Sequence, residues 1–157
     1  GSADPREIPL FVGALLAGAD FAKGSRTAVG GGSTDLTSWR RLGNASLCRV
    51  VNTLFGTSYT DLCYGYNAFW RHCLEVIELD CDGFEVETLI NVRVARAGLR
   101  IAEVPSFELS RIHGDSNLRA VRDGLRILRV IYQEHRRPRG RRSDGSTRTT
   151  ERDVSHR

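Results

Sequence analysis

The sequence predicts an α/β layered domain with a largely parallel sheet. Two observations carry this reading: stretches with apolar residues at helical spacing alternate with short β-type runs, and most stretches are closed by glycine or proline. A third observation qualifies it. Only about three or four strands are legible, fewer than a doubly wound sheet normally has, which points to a sheet with part missing.

The elements follow in order. Asp4 and Pro5 are a helix N-cap and a first-turn proline. Ile8, Phe11, Val12, Leu15 and Leu16 then repeat at helical spacing, and Gly18 closes the helix. Ala19 to Lys23 is a short strand that ends at Gly24-Ser25-Arg26, and a glycine-rich loop from Val29 to Thr34 follows. Leu47, Val50, Val51, Leu54 and Phe55 mark a second helix face, stopped by Gly56. Thr60 to Trp70 is aromatic and reads as strand, turn and short helix. Val86, Leu89, Ile90, Val94 and Ala97 form a third helical stripe with Gly98 past its end. Leu99 to Val104 is a strand stopped by Pro105, and a last helix starts near Ser116. Its expected apolar face is Leu118, Val121, Leu125, Leu128 and Tyr132, beside an arginine stripe of Arg119, Arg122, Arg126 and Arg129. Residues 136–157 carry eight arginines against three acids and almost nothing apolar, the composition of a disordered basic tail.

Bulk composition narrows the function classes. With 157 residues, 40% hydrophobic and 27% charged, the chain has the make-up of one globular domain. It has no run of 18 apolar residues and no signal peptide. Of its 23 basic residues, Lys23 is the only lysine. Cys48, Cys63, Cys73 and Cys81 contain no C-x-x-C pair and read as buried free thiols. The chain has no methionine, so either its initiator was removed or it is a piece of a longer protein.

One stretch, Glu103 to Arg122, carries chemistry. A strand delivers a polar loop with Arg111, His113, Gly114 and Ser116, and the loop opens into the arginine-bearing helix. Guanidinium forks, free backbone N–H groups and the positive end of a helix then converge, as phosphate binding requires. Arg26 ends a strand before a glycine-rich loop, where ligands of open α/β sheets bind, and reads as a second phosphate clamp.

Four blocks together resemble the C-terminal half of family-two glycosyltransferases, specifically the polyprenyl- (dolichol-) phosphate hexose synthases, mannose or glucose. They are residues 1–9, Gly24-Ser25-Arg26, Asp61 to Tyr66 and Arg111-x-x-Gly114-x-Ser116, and the match spans about residues 1–135. The resemblance implies a GT-A fold, a Rossmann-like nucleotide-diphospho-sugar transferase domain, here incomplete and reduced to its acceptor half. In that family an Asp-x-Asp motif precedes the position of Gly1 and holds Mg²⁺ or Mn²⁺ on the diphosphate. This chain lacks the motif, so no metal and no activity are expected of it alone, and Ser2 is at most a weak metal ligand. Asn117 stands where the family usually has lysine.

The implied reaction moves a hexose from a GDP- or UDP-sugar to a polyprenyl phosphate at the inner face of the plasma membrane of a bacterial cell. A phosphate monoester with a second pKa near 6 is already largely ionised at neutral pH, so the nucleophile needs no general base. The work left to the protein is positioning and charge stabilisation. Arg111, Arg26 and Asp61 are the residues implied in catalysis; Ser25, His113, Gly114, Ser116, Tyr64 and Glu87 are implied in substrate binding. Plainer readings stand beside these: a turn-capping role for Asp61, aromatic core for Tyr64, and helix-dipole complementarity for Glu87. Two rival functions stay open at this point, a non-catalytic remnant of such a transferase and a small basic nucleic-acid-binding module. No nucleic-acid motif supports the latter, so nucleic acid is not an expected partner.

Overall fold

The computed structural model describes residues 2–77, 83, 85–110 and 120–138; Arg111, His113, Gly114, Ser116, Cys81 and the chain after 138 lie outside the described residues. Asp4 caps a 3-10 turn over Pro5–Glu7 by accepting from the Arg6 amide at 2.9 Å, and the turn runs into α1 (Ile8–Leu16). Gly18, at φ +108°, ends this helix with a backbone angle open to glycine. The buried strand β1 (Phe21–Ser25) follows, then β2 (Gly32–Ser33) and the long helix α2 (Ser38–Phe55). Thr37 caps α2 through the Arg40 amide, and Gly56 in the left-handed region closes it. After an irregular segment come β3 (Asn67–Phe69) and a 3-10 turn (Arg71–Glu75), so Thr60–Trp70 is coil and then strand, not strand, turn and helix. Then come α3 (Glu85–Arg96), β4 (Ile101–Pro105), β5 (Phe107–Glu108) and α4 (Ala120–Arg136).

The expectation of a largely parallel sheet is met only in part. β1 is central, parallel to β4 with Phe21 opposite Ile101, but antiparallel to β3 with Phe21 opposite Phe69. A separate parallel pair, β2 with β5, sets Ser33 opposite Glu108. On one face of β1, α1 inserts Phe11 and Leu15 against Ala22 and Val104. Phe21, pointing the other way as strand alternation requires, packs with Cys73, Ile77 and Val94 of α3. A third cluster joins α2, α3 and α4 through Cys48, Val51, Tyr59, Leu62, Val92, Ile127 and Ile131.

The last helix docks by a face other than the expected one. Leu125, Leu128 and Tyr132 are 63%, 42% and 54% exposed, whereas Asp123, Ile127, Ile131 and Glu134 are buried. The reason is an ion pair. Arg93 of α3 donates Nε and Nη2 to Glu134 Oε1 at 3.2 and 2.9 Å, with both side chains buried. A satisfied buried charge pair reads as polar surface in a hydropathy pattern, so the docking face was hidden. Arg122, Arg126 and Arg129 remain exposed.

Cys48, Cys63 and Cys73 are free thiols. Burial pushes Cys48 up to about 12 and Cys63 to about 11, which leaves both protonated and inert near neutrality. Among the described residues, no helix is long and apolar enough to cross a membrane.

Candidate functional site: an acceptor-type cavity

A cavity of about 780 Å³ opens between α2, α4 and the segment from Cys63 to Tyr66. Its walls are apolar: Leu36, Trp39, Leu47 and Val50 on the α2 side, Leu125, Ile127 and Leu128 on α4. Its floor is charged and polar, with Arg26, Arg40, Asn44, Glu87 and Glu108, and Ser2 and Tyr64 at its margin. Gly43 of α2 and Gly124 of α4 leave room where the two helices face the space.

Arg26 organises the floor. Nε and Nη2 donate to the two oxygens of Asp61 at 2.8 and 3.1 Å, Nη1 donates to Glu108 at 2.9 Å, and Nη2 also reaches the Cys63 carbonyl. Its guanidinium lies 4.9 Å from the centre of the Tyr64 ring. One Nη1–H is left that no described residue accepts. Burial works against the Arg26 charge, but the two carboxylates outweigh it and hold its pKa above the usual range. Burial likewise opposes ionisation of Asp61, and its bonds to Arg26 win, so its pKa is lowered. Asp61 itself is fully buried and also caps the turn by accepting from the Cys63 amide at 3.1 Å.

Glu87 is a different kind of carboxylate. It sits at the start of α3, against Gly65, where an added Cβ would come within 2.6 Å of its Oε1. Burial raises its pKa despite the nearby charges of Lys23 and Arg26. No described residue hydrogen-bonds its side chain, which leaves the carboxyl available to the cavity.

The structure thus gathers Arg26, Tyr64, Glu87 and Ser2 on one cavity and places Asp61 directly behind it. Ser25 stands further back, its Oγ bonded to Thr60 at 2.6 Å and accepting from the Ala28 amide at 3.0 Å to fold the turn after β1. Sequence reading passed over Glu108 and Asn44. Arg40, half-buried in the first turn of α2, also lines the cavity. The capping Thr37 three residues before it was the available signal. Glu103 accepts from the Thr60 amide and hydroxyl at 2.9 and 2.7 Å.

Among the described residues, no three His, Cys, Asp or Glu side chains converge as a metal site requires. Ser2 Oγ is bonded to Glu108 Oε1 at 3.3 Å, while Glu108 Oε2 already serves Arg26 and Ser33.

No family model matches the chain. Several curated proteins do, among them the following three. Polyprenol monophosphomannose synthase of Mycolicibacterium smegmatis is 37% identical over 125 residues, covering 75% of this chain and 46% of that protein. Undecaprenyl-phosphate mannosyltransferase of Micrococcus luteus is 30% identical over 121 residues, 75% of this chain and 49% of the relative. Glycosyltransferase AglJ of Haloferax volcanii is 33% identical over 99 residues, 62% of this chain and 33% of the relative. The chain therefore spans about a third to a half of the length of the relatives it matches. On these relationships, and with a mixed α/β fold to match, the chain belongs to the polyprenyl-phosphate sugar transferase family.

Proposed function

We propose that this chain is the acceptor-side half of a GT-A transferase that moves a hexose from a GDP- or UDP-sugar to a polyprenyl phosphate. One observation carries the reading: a single cavity joins two apolar helix walls to a floor that bears Arg26 and Arg40. Apolar walls suit the first isoprene units, and the arginines suit the phosphate. Arg40 is the direct phosphate donor on this reading, because it makes no ion pair among the described residues and sits where the α2 N-terminus adds its positive end. Arg26, already bonded to Asp61 and Glu108, shapes the floor and offers its one remaining N–H. Arg111, His113, Gly114 and Ser116, which lie outside the described residues, are carried on the family resemblance alone as further phosphate-binding residues.

The phosphate oxygen attacks without a general base, so this half of the protein contributes position and charge. A Mg²⁺ or Mn²⁺ would supply charge neutralisation on the donor diphosphate, held by carboxylates outside this chain; the chain alone then gives no turnover. The enzyme works at the inner membrane face, with Leu125 and Leu128 at the open rim of the cavity and the exposed Tyr132 beyond it toward lipid.

The test is titration of the chain with farnesyl phosphate, farnesol and inorganic phosphate, read by Trp39 fluorescence in a Trp70→Phe background. Farnesyl phosphate is expected to bind at least about tenfold more tightly than either part alone, and Arg40→Gln to remove that advantage. Equal weak binding of all three compounds would reject the proposal.

A further inference from the structure

Lys23, the only lysine of the chain, is fully buried in the central strand. Lysine is almost never fully buried without a charged partner, and among the described residues no carboxylate touches it. Its Nζ donates to the Gly24 carbonyl at 3.1 Å and to the Tyr64 carbonyl at 3.2 Å. Asp61, Glu103 and Glu87 favour its charge from beyond contact, Arg26 opposes it, and burial, the largest influence, lowers its pKa. An apolar side chain of similar length would fill the space without that desolvation cost. What the ammonium adds is orientation of the groups it bonds.

Those groups belong to the cavity wall. Residues 63–65 lie in no strand, so their carbonyls have no ladder partner and need other donors. Two cations of neighbouring sequence supply them: Arg26 holds the Cys63 carbonyl at 3.0 Å and Lys23 holds the next one, of Tyr64. The Tyr64 ring is packed so closely over Gly24 that an added Cβ there would lie 3.0 Å from ring carbon Cε1. The ring also faces Arg26, and its hydroxyl meets Ser106 at 3.0 Å. Gly65, the following residue, abuts Glu87.

We infer that Lys23 is a positioning residue of the acceptor cavity: its buried Nζ pins the Tyr64 carbonyl to β1 and thereby sets the place of Tyr64 and Gly65 against Arg26 and Glu87. Lys23 does not line the cavity and acts through these neighbours. The inference rests on the acceptor reading for its consequence in binding, but not for its geometry.

A single lysine makes the test direct. With ¹⁵N-lysine label the chain gives one side-chain Nζ resonance. It is expected to exchange slowly with water, to show contacts to Tyr64, and to titrate below the ordinary lysine range. A fast-exchanging Nζ with an ordinary titration overturns the inference, and this arm needs no variant. In Lys23→Met the Cys63–Gly65 amides and the Tyr64 ring signals are expected to shift while those of the Arg93–Glu134 contact stay. Farnesyl phosphate affinity is expected to fall about tenfold. Wild-type signals and wild-type affinity in Lys23→Met overturn the inference and leave the proposed function standing. Should the unaltered chain not bind farnesyl phosphate at all, the proposed function falls and the resonances alone decide the role of Lys23.

Discussion

Arg26 and Asp61 form a two-point pair, Nε to Oδ2 at 2.8 Å and Nη2 to Oδ1 at 3.1 Å, and the Arg26 amide adds a third bond to the same carboxylate. The pair joins the end of β1 to the irregular segment that forms the cavity wall.

Removing Asp61 leaves the buried Arg26 charge with Glu108 as its remaining carboxylate, and loss of a buried partner costs up to about 3–5 kcal/mol. Asp61→Asn is therefore expected to lose about that much in urea unfolding at pH 7. The folded pKa of Asp61 lies below its unfolded value of 3.8, so its stabilisation is present above that pH and is lost as pH falls through the folded value. The variant should consequently show a flatter acid limb than the parent. A loss at pH 7 well under 1 kcal/mol would show that the pair contributes little.

Glu87 has the opposite sign. Its folded pKa is raised above 4.5, so the stability it contributes is complete below that pH and is lost as pH rises through the folded value. Glu87→Gln is expected to stabilise the fold at pH 7 by about 0.5–2 kcal/mol, with the gain vanishing near pH 4. Thermal unfolding at the two pH values checks this, and a loss at pH 7 would contradict it.

The Arg93–Glu134 pair fastens α4 to α3, and Arg137 reaches the same Glu134 oxygen at 3.4 Å. Glu134→Ala should cost about 3–5 kcal/mol and speed amide exchange throughout α4 before β1 and β4 are affected. Uniform acceleration across the chain would mean that α4 is not the part released.

Vesicle binding tests the exposed side of α4, which includes the rim of the cavity. Leu125, Leu128 and Tyr132 are exposed beside Arg122, Arg126 and Arg129, an arrangement suited to an interfacial helix. Each basic residue near an anionic leaflet contributes about 1 kcal/mol, so changing these three to Gln should weaken binding by about 3 kcal/mol. The comparison is made with the chain cut after Pro138, because the arginines beyond it bind anionic vesicles on their own. Unchanged flotation would assign this face another role.

Helix ends were the most legible part of the fold. Asp4 with Pro5, and Gly18, Gly56 and Gly98, act locally, and the structure uses each where the sequence places it. The two-residue strands β2 and β5 left no pattern to read, since two residues give no alternation. The docking face of α4 was misread because Asp123 and Glu134 look solvent-facing and are not. At the candidate site the blocks led to Arg26, Asp61, Tyr64 and Glu87, which the fold brings together. What they could not tell was the state of each: Arg26 paired on two sides, Asp61 enclosed, Glu87 without a bond. Those states depend on contacts between separate parts of the sequence, Arg26 with Glu108 and Cys63 and Glu87 with Gly65, which no local motif shows.

The burial of Lys23 has a practical side. With its one ε-amine shut inside the central strand, the folded chain offers amine-reactive reagents no lysine. Acylation of Lys23 should therefore wait for the sheet to open. A lysine-specific protease should find its one cleavage site closed until the sheet opens. Cleavage after Lys23 then becomes a clock for unfolding, with the cut falling in the middle of β1.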